Sequence, residues 1–284
     1  MLHEDPINKQ FDIRAITAEQ EVLSKLMLVK FKVEIGLLEE IISKHIKILG
    51  YLYNQYRLKE LLGSDFDKNI VLNNVLYNHV YLSLSILELL KKGYYGSARV
   101  LLRQSFEMLI AAKYYENNID RQEWSDSYTK MGKIINHLKS KKKRIDSLEL
   151  TYGELCKFTH ATPYAQQLFR LPQLDSINQG SKEYEGAIDV YNDFYINMNY
   201  TYDLFFVNLC MLFHLNNRCH RKTRDFYMGY YKDALCSNGS IKELKQDFKN
   251  LKSQYYGTMK KRSVKYTAVK KWRSVIRQYT LSWS

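Results

Sequence analysis

Apolar residues recur at three- and four-residue intervals through most of the first 115 residues, which is the spacing of amphipathic helices. The pattern predicts one long helix from about Ala18 to Leu62, or two helices joined near Gly36 or Gly50. Further helices are predicted from about Asp67 to Lys92 and from about Gly96 to Tyr115. Because only a short turn separates the last two, they should form an antiparallel hairpin.

Residues that favour helix ends support these boundaries. Gly93 suits the position just after a helix C-terminus, and Lys91 and Lys92 before it complement the helix dipole. Ser97 is a candidate N-cap for the following helix. The sequence therefore places the turn of the hairpin at Gly93–Gly96.

The second half of the chain also has helical spacing, apart from an irregular stretch over 162–180 that contains Pro163 and Pro172. A small hairpin could lie in that stretch. With only 12 glycines and 3 prolines the chain lacks the turns of an all-β protein, so the predicted fold is an all-α antiparallel bundle. The predicted helices here are Asp120–Leu138, Ser147–Phe158, an aromatic-rich helix over 183–216, and a tail helix opened by Ser240 and Glu243.

Positive charge is concentrated at the C-terminus. The net charge is +13, and residues 242–284 contribute +10 of it, with 12 basic and 2 acidic residues. This asymmetry divides the chain into a body, 1–241, and a basic amphipathic arm, 242–284, and points to a polyanionic partner. The candidate phosphate contacts lie in the arm and in a smaller cluster before it: Arg218, Arg221, Lys222, Arg224, Lys261, Arg262, Lys265, Lys270, Lys271, Arg273 and Arg277.

Three other interpretations of the arm remain open. It could lie on an anionic membrane surface, recruit an acidic protein, or dock on the body with its charges simply solvated. No segment is apolar enough for a membrane span, and the N-terminus lacks the layout of a signal peptide. We therefore expect a cytoplasmic protein with reduced cysteines.

A metal site is the alternative interpretation of the cysteines. Cys210, His214, Cys219 and His220 follow a C-x3-H-x4-C-H spacing. Structural zinc sites favour ligand pairs in tight loops, whereas Cys210 lies in an apolar run where a buried free thiol is common. We expect no metal and no cofactor.

The candidate chemistry lies on the helix after Gly96. Arg99, Arg103 and Glu107 follow one another at four-residue intervals, so they share a stripe beside an apolar face. His160 lies near the end of the predicted short helix and could act as a general acid or base. The alternatives are a structural ion pair on the helix and a histidine that hydrogen-bonds a terminal carbonyl.

Two parts of the chain together resemble the helical HEPN superfamily. They are the helix after Gly96, with Arg99, Leu102, Arg103 and Glu107, and the later element before Pro163, with Tyr152, Leu155 and His160. The resemblance is to its bacterial, abortive-infection-type branch and covers about 67–215. It implies a helical, usually dimeric fold and, in some members, metal-independent ribonuclease activity.

The ribonuclease signature of that family places four to six residues between an arginine and the histidine that follows it. Here those positions hold Gly153, Glu154 and Leu155. Either Arg103 supplies the charge from another helix, or the site is degenerate.

Two functions follow as expectations. In the first, an RNA-acting protein of bacterial defence or toxin type uses His160 as acid or base, Arg103 to stabilise phosphate charge and Glu107 to orient Arg103. It would be a homodimer, with the helix over 183–216 as the interface. In the second, a non-enzymatic scaffold uses its arm to recruit nucleic acid or an acidic protein. The departure from the signature favours the second, and the three named residues favour the first.

Overall fold

The structure is a computed structural model that describes residues 13–61, 67–115, 152–153, 155–156, 194–215 and 238–262. Within these ranges the chain is helical almost throughout, so the predicted all-α bundle is confirmed. The main helices are α1 (Ile13–Lys30), α2 (Lys32–Leu61), α3 (Asp67–Lys91), α4 (Tyr95–Tyr115), α5 (194–215) and α6 (Asn238–Arg262).

The junction between the first two helices is at Phe31, and the prediction of a junction near Gly36 or Gly50 was wrong. The amide of Phe31 still donates to the carbonyl of Met27, and that of Ile35 to the carbonyl of Phe31, each at 2.9 Å. The helical register therefore continues across the junction. The Phe31 ring is buried and stacks on Tyr202, with centroids 4.7 Å apart.

The hairpin of α3 and α4 forms as predicted, and Gly93 ends α3. Its φ of 81° is favourable only for glycine. The amide of Gly93 donates to Leu90 and that of Tyr94 to Leu89, at 3.0 and 2.8 Å, which is the Schellman arrangement. The helix α4 begins at Tyr95, so Ser97 lies inside its first turn and is not the N-cap.

The central element of the bundle is α5, in which every side chain from 201 to 213 is buried. A helix that is buried all round must be packed on several sides. The expectation that the helix over 183–216 forms a dimer interface stays a prediction, although most side chains of the described part, 194–215, are buried within the chain itself. Its aromatic side chains lie in the core: Phe194, Tyr202, Phe205, Phe206 and Phe213.

The basic arm is continuous with the core over its first half. Leu244, Phe248, Leu251, Tyr255 and Met259 of α6 are buried. The Phe213 and Phe248 rings stack at 3.5 Å, and the Phe206 and Tyr255 rings at 4.0 Å. The amino group of Lys44 on α2 lies 2.6 Å from the Asp247 carboxylate. A cut at residue 242 would therefore remove a helix that completes the core.

None of the helices in the part of the chain that the structure describes has both the length and the apolar character needed to cross a membrane.

Candidate functional site: a half-buried arginine cluster

A polar cluster forms where α4 meets the short helical element at Tyr152. The Nε of Arg103 donates to Glu107 Oε1 at 3.0 Å, so the predicted pairing of these residues is confirmed. The phenol of Tyr152 donates to the same oxygen, also at 3.0 Å. The guanidinium carbon lies 5.8 Å from the centre of the Tyr152 ring. One carboxylate thus holds an arginine from its own helix and a tyrosine from another element.

Electrostatics favours a charged arginine and a neutral tyrosine in this cluster. Burial opposes the charge of Arg103, but hydrogen bonds to Tyr152 and Glu107 outweigh it and raise the pKa of the guanidinium. Burial, followed by hydrogen bonds to Cys156 and Glu107, raises the pKa of the Tyr152 phenol well above its ordinary value. At neutral pH Arg103 is therefore charged and Tyr152 is neutral, and both are bonded to the Glu107 carboxylate.

The cluster is open enough to meet a ligand. The side chains of Arg103 and Glu107 are 24% and 32% exposed. An arginine presents planar donors that match phosphate or carboxylate oxygens. Glu107 orients Arg103, because the pair joins successive turns of one helix. The arrangement can therefore bind an anionic group.

Arg99, one turn earlier on α4, has a different environment. It is fully buried, and its Nε donates to Thr201 Oγ1 at 2.8 Å. Its Nη2 donates to the carbonyl and to the side-chain oxygen of Asn197, each at 3.0 Å. The guanidinium also lies over the rings of Tyr95 and Tyr200, at 5.3 and 5.2 Å. Arg99 therefore fixes α4 to α5 and is not available to a ligand.

A buried polar chain that sequence reasoning missed also joins the helices. His79 Nε2 on α3 lies 2.5 Å from Ser105 Oγ on α4, which in turn donates to Asn208 Oδ1 on α5 at 2.7 Å. The Ser83 hydroxyl donates to the carbonyl of His79. Burial lowers the pKa of His79 to about 4, so its ring is neutral at pH 7.

His45 on α2 is a second buried histidine near this chain. Burial, together with the nearby His79, lowers the pKa of His45 to about 3. Histidines in apolar helical spacing resemble ordinary core positions, and the sequence offered no signal that several would lie close together. Their full burial makes them core residues.

Other predicted site residues fall outside the described residues. His160 is one, so its expected approach to Arg103 remains a prediction. Lys261 and Arg262 are the last two residues of α6, and the structure describes only their backbone. The remaining candidate phosphate contacts also lie outside: Arg218, Arg221, Lys222, Arg224, Lys265, Lys270, Lys271, Arg273 and Arg277.

The alternative zinc site is only partly visible. Cys210 is a buried free thiol, and burial raises its pKa to about 12, which disfavours the thiolate that a metal would bind. Cys219 and His220 lie outside the described residues. Among the side chains that the structure does describe, no group of three or more histidine, cysteine or acidic residues could hold a metal ion.

Comparisons of the chain with protein-family models, with curated proteins and with solved structures found no match.

Proposed function

We propose that this protein binds nucleic acid, RNA in preference to DNA, through its basic C-terminal arm and Arg103. The observation that carries the proposal is the +10 charge of residues 242–284, attached to a core that otherwise has nearly balanced charge. Phosphate backbones are the polyanions that such a concentration of lysine and arginine binds best. The family resemblance suggests bacterial defence as the setting.

The attachment of the arm supports this proposal. The apolar side of α6 packs in the core, while Lys249 on the same helix is exposed. Of the two acidic residues in the arm, Asp247 pairs with Lys44 on α2. The helix therefore connects the core directly to the lysine- and arginine-rich sequence that follows Lys260.

Charge reversal tests the proposal without removing a core helix. The arm variant replaces Lys261, Arg262, Lys270 and Lys271 by Glu. The control variant replaces Lys25, Lys32, Lys47 and Lys92, all exposed on the body, by Glu. Each variant loses four positive and gains four negative charges, so both fall from +13 to +5. Equal net charge separates a local binding surface from a general attraction to anions.

Binding is measured by fluorescence anisotropy with labelled single-stranded RNA and DNA of about 20 nucleotides, over a range of salt. The arm variant should bind RNA at least about tenfold more weakly, with a shallower salt dependence, since each lost phosphate contact removes about 0.7 from the log–log slope. The control should lose far less. Equal losses in folded, monodisperse samples would refute a specific role for the arm.

The same mixtures test whether the protein is also a metal-independent ribonuclease. Shortening of the RNA probe in EDTA by the wild type, and not by His160→Ala, would extend the proposal from binding to catalysis. An intact probe throughout would favour a non-enzymatic binding protein.

A further inference from the structure

An apolar stripe lies on the outward side of α1 and α2, opposite their core residues. It consists of Val22, Leu26, Val29 and Val33, which recur at alternating intervals of four and three residues. Their exposed fractions are 49, 37, 78 and 58%. Because the helical register continues across Phe31, the four side chains form one line along the helix pair.

The packing of the described residues does not explain the stripe. Valine is a poor helix former, so exposed helical positions gain nothing from it. Gly36 lies at the edge of the same line, and a Cβ there would meet no atom within 4 Å. A helical glycine in open space weakens the isolated helix, but it permits close approach by another helix. The exposed valines and the unobstructed glycine are both typical of a helix surface on which a second helix packs, with contacts at alternating intervals of four and three residues.

The charges beside the stripe indicate which partner it suits. From residue 20 to 36 the exposed charged side chains are three lysines and one glutamate: Lys25, Lys30, Lys32 and Glu21. Beyond Gly36 the exposed Glu39 is paired with Lys91, and Glu40 is exposed. A second copy of this chain would bring the same lysines to the seam, and like charges at such positions are unfavourable. Glutamates flanking the apolar face of a partner would be complementary.

We propose that the stripe Val22–Leu26–Val29–Val33 is a docking site for an acidic amphipathic helix of a partner protein. The partner lays its apolar residues along the stripe, and its flanking carboxylates meet Lys25, Lys30 and Lys32. Gly36 allows the partner backbone to come close at one end. The stripe shares no residue with the basic arm, so the proposal does not depend on RNA binding.

The test uses the full-length protein and a fluorescent helical peptide of about 20 residues, with leucine at the seam positions and glutamate beside them. A matched peptide carries lysine in place of glutamate. The stripe variant combines Val29→Ser and Val33→Ser, and its control is Val100→Ser, a valine of 41% exposure on α4. The charge variant combines Lys25→Gln and Lys32→Gln, and its control combines Lys47→Gln and Lys92→Gln.

The wild type should bind the acidic peptide and not the basic one. The stripe variant should weaken binding at least about tenfold and the charge variant severalfold, while both controls remain near wild type. Gly36→Ala should raise the urea midpoint of the protein and weaken peptide binding, an opposite pair of effects that a purely structural role would not give. Circular dichroism confirms that each variant is folded.

Three results would overturn the proposal. The first is an acidic peptide that does not bind, or binds equally well after the stripe is changed. The second is stripe-dependent flotation with vesicles of phosphatidylglycerol and phosphatidylcholine in the absence of peptide binding, which assigns the face to membranes. The third is a dimer in sedimentation analysis that the stripe variant abolishes, which assigns the face to a second copy.

Discussion

Arg99 and Arg103 are one turn apart on α4, yet they occupy opposite kinds of environment. Arg99 is fully buried and bonds Thr201 and Asn197 of α5. Arg103 is partly exposed and is held by Glu107 of its own helix, with Tyr152 at the same carboxylate. A buried charge whose donors bond fixed oxygens is structural, whereas a partly exposed, oriented charge can also meet a ligand. The contrast distinguishes Arg99, which stabilises the packing of α4 on α5, from Arg103, which can contact an anionic ligand.

The first prediction concerns stability, where this contrast should be largest. Arg99→Met should lower the free energy of unfolding by about 3 kcal/mol, because the buried Thr201 hydroxyl and the partly buried oxygens of Asn197 lose the hydrogen bonds that Arg99 donates. Arg103→Met should cost less than about 1 kcal/mol, as expected for a partly exposed pair. Urea unfolding followed by circular dichroism measures both. Similar losses for the two variants would show that the arginines do not differ in role.

The second prediction concerns another buried polar group, His79, and the dependence of the protein's stability on pH. The folded pKa of His79 is about 4, below the unfolded value of 6.5, so the unfolded chain binds more protons as the pH falls. The contribution of neutral His79 to the free energy of unfolding should be fully present above pH 6.5, and about 3 kcal/mol of it should be lost as the pH falls towards 4. His79→Gln should reduce this loss, although it lowers stability at pH 7.

Urea midpoints of the wild type and His79→Gln, measured at intervals from pH 7.5 to about 4, isolate the histidine. Carboxylates titrate in both proteins and cancel in the difference. Parallel profiles for the two proteins would mean that His79 does not stay neutral in the fold. His45, whose pKa is about 3, should add a further loss. Both proteins share the part of it that comes from burial, which is the larger cause, but not the part that comes from His79.

Helical spacing was enough to predict the class of fold and most helix boundaries, because local periodicity and end residues such as Gly93 determine them. The pairing of Arg103 with Glu107 was also predictable, since it needs only one turn of helix. Tyr152 is part of the family pattern, but its hydrogen bond to Glu107 depends on how two elements pack. The separation of Arg99 from Arg103 has the same origin, because only the position of α5 decides which arginine is covered.

The junction at Phe31 is a second feature that depends on tertiary packing and could not be predicted from helical spacing. Glycine was the expected weak point of the long helix, yet the helix passes through both Gly36 and Gly50. The discontinuity falls at a buried aromatic ring that stacks on Tyr202. Tertiary packing, which periodicity does not report, outweighed the local preference of glycine.

The affinity of Arg103→Gln for single-stranded RNA, measured as a function of salt, tests most directly whether the partly exposed arginine belongs to the binding surface. The control is Lys92→Gln, which removes one exposed charge elsewhere. We expect Arg103→Gln to bind severalfold more weakly than the control and to lose about 0.7 from the salt slope, at a nearly unchanged urea midpoint. If its affinity and slope equal those of the control, Arg103 makes no phosphate contact and the cluster is as structural as Arg99.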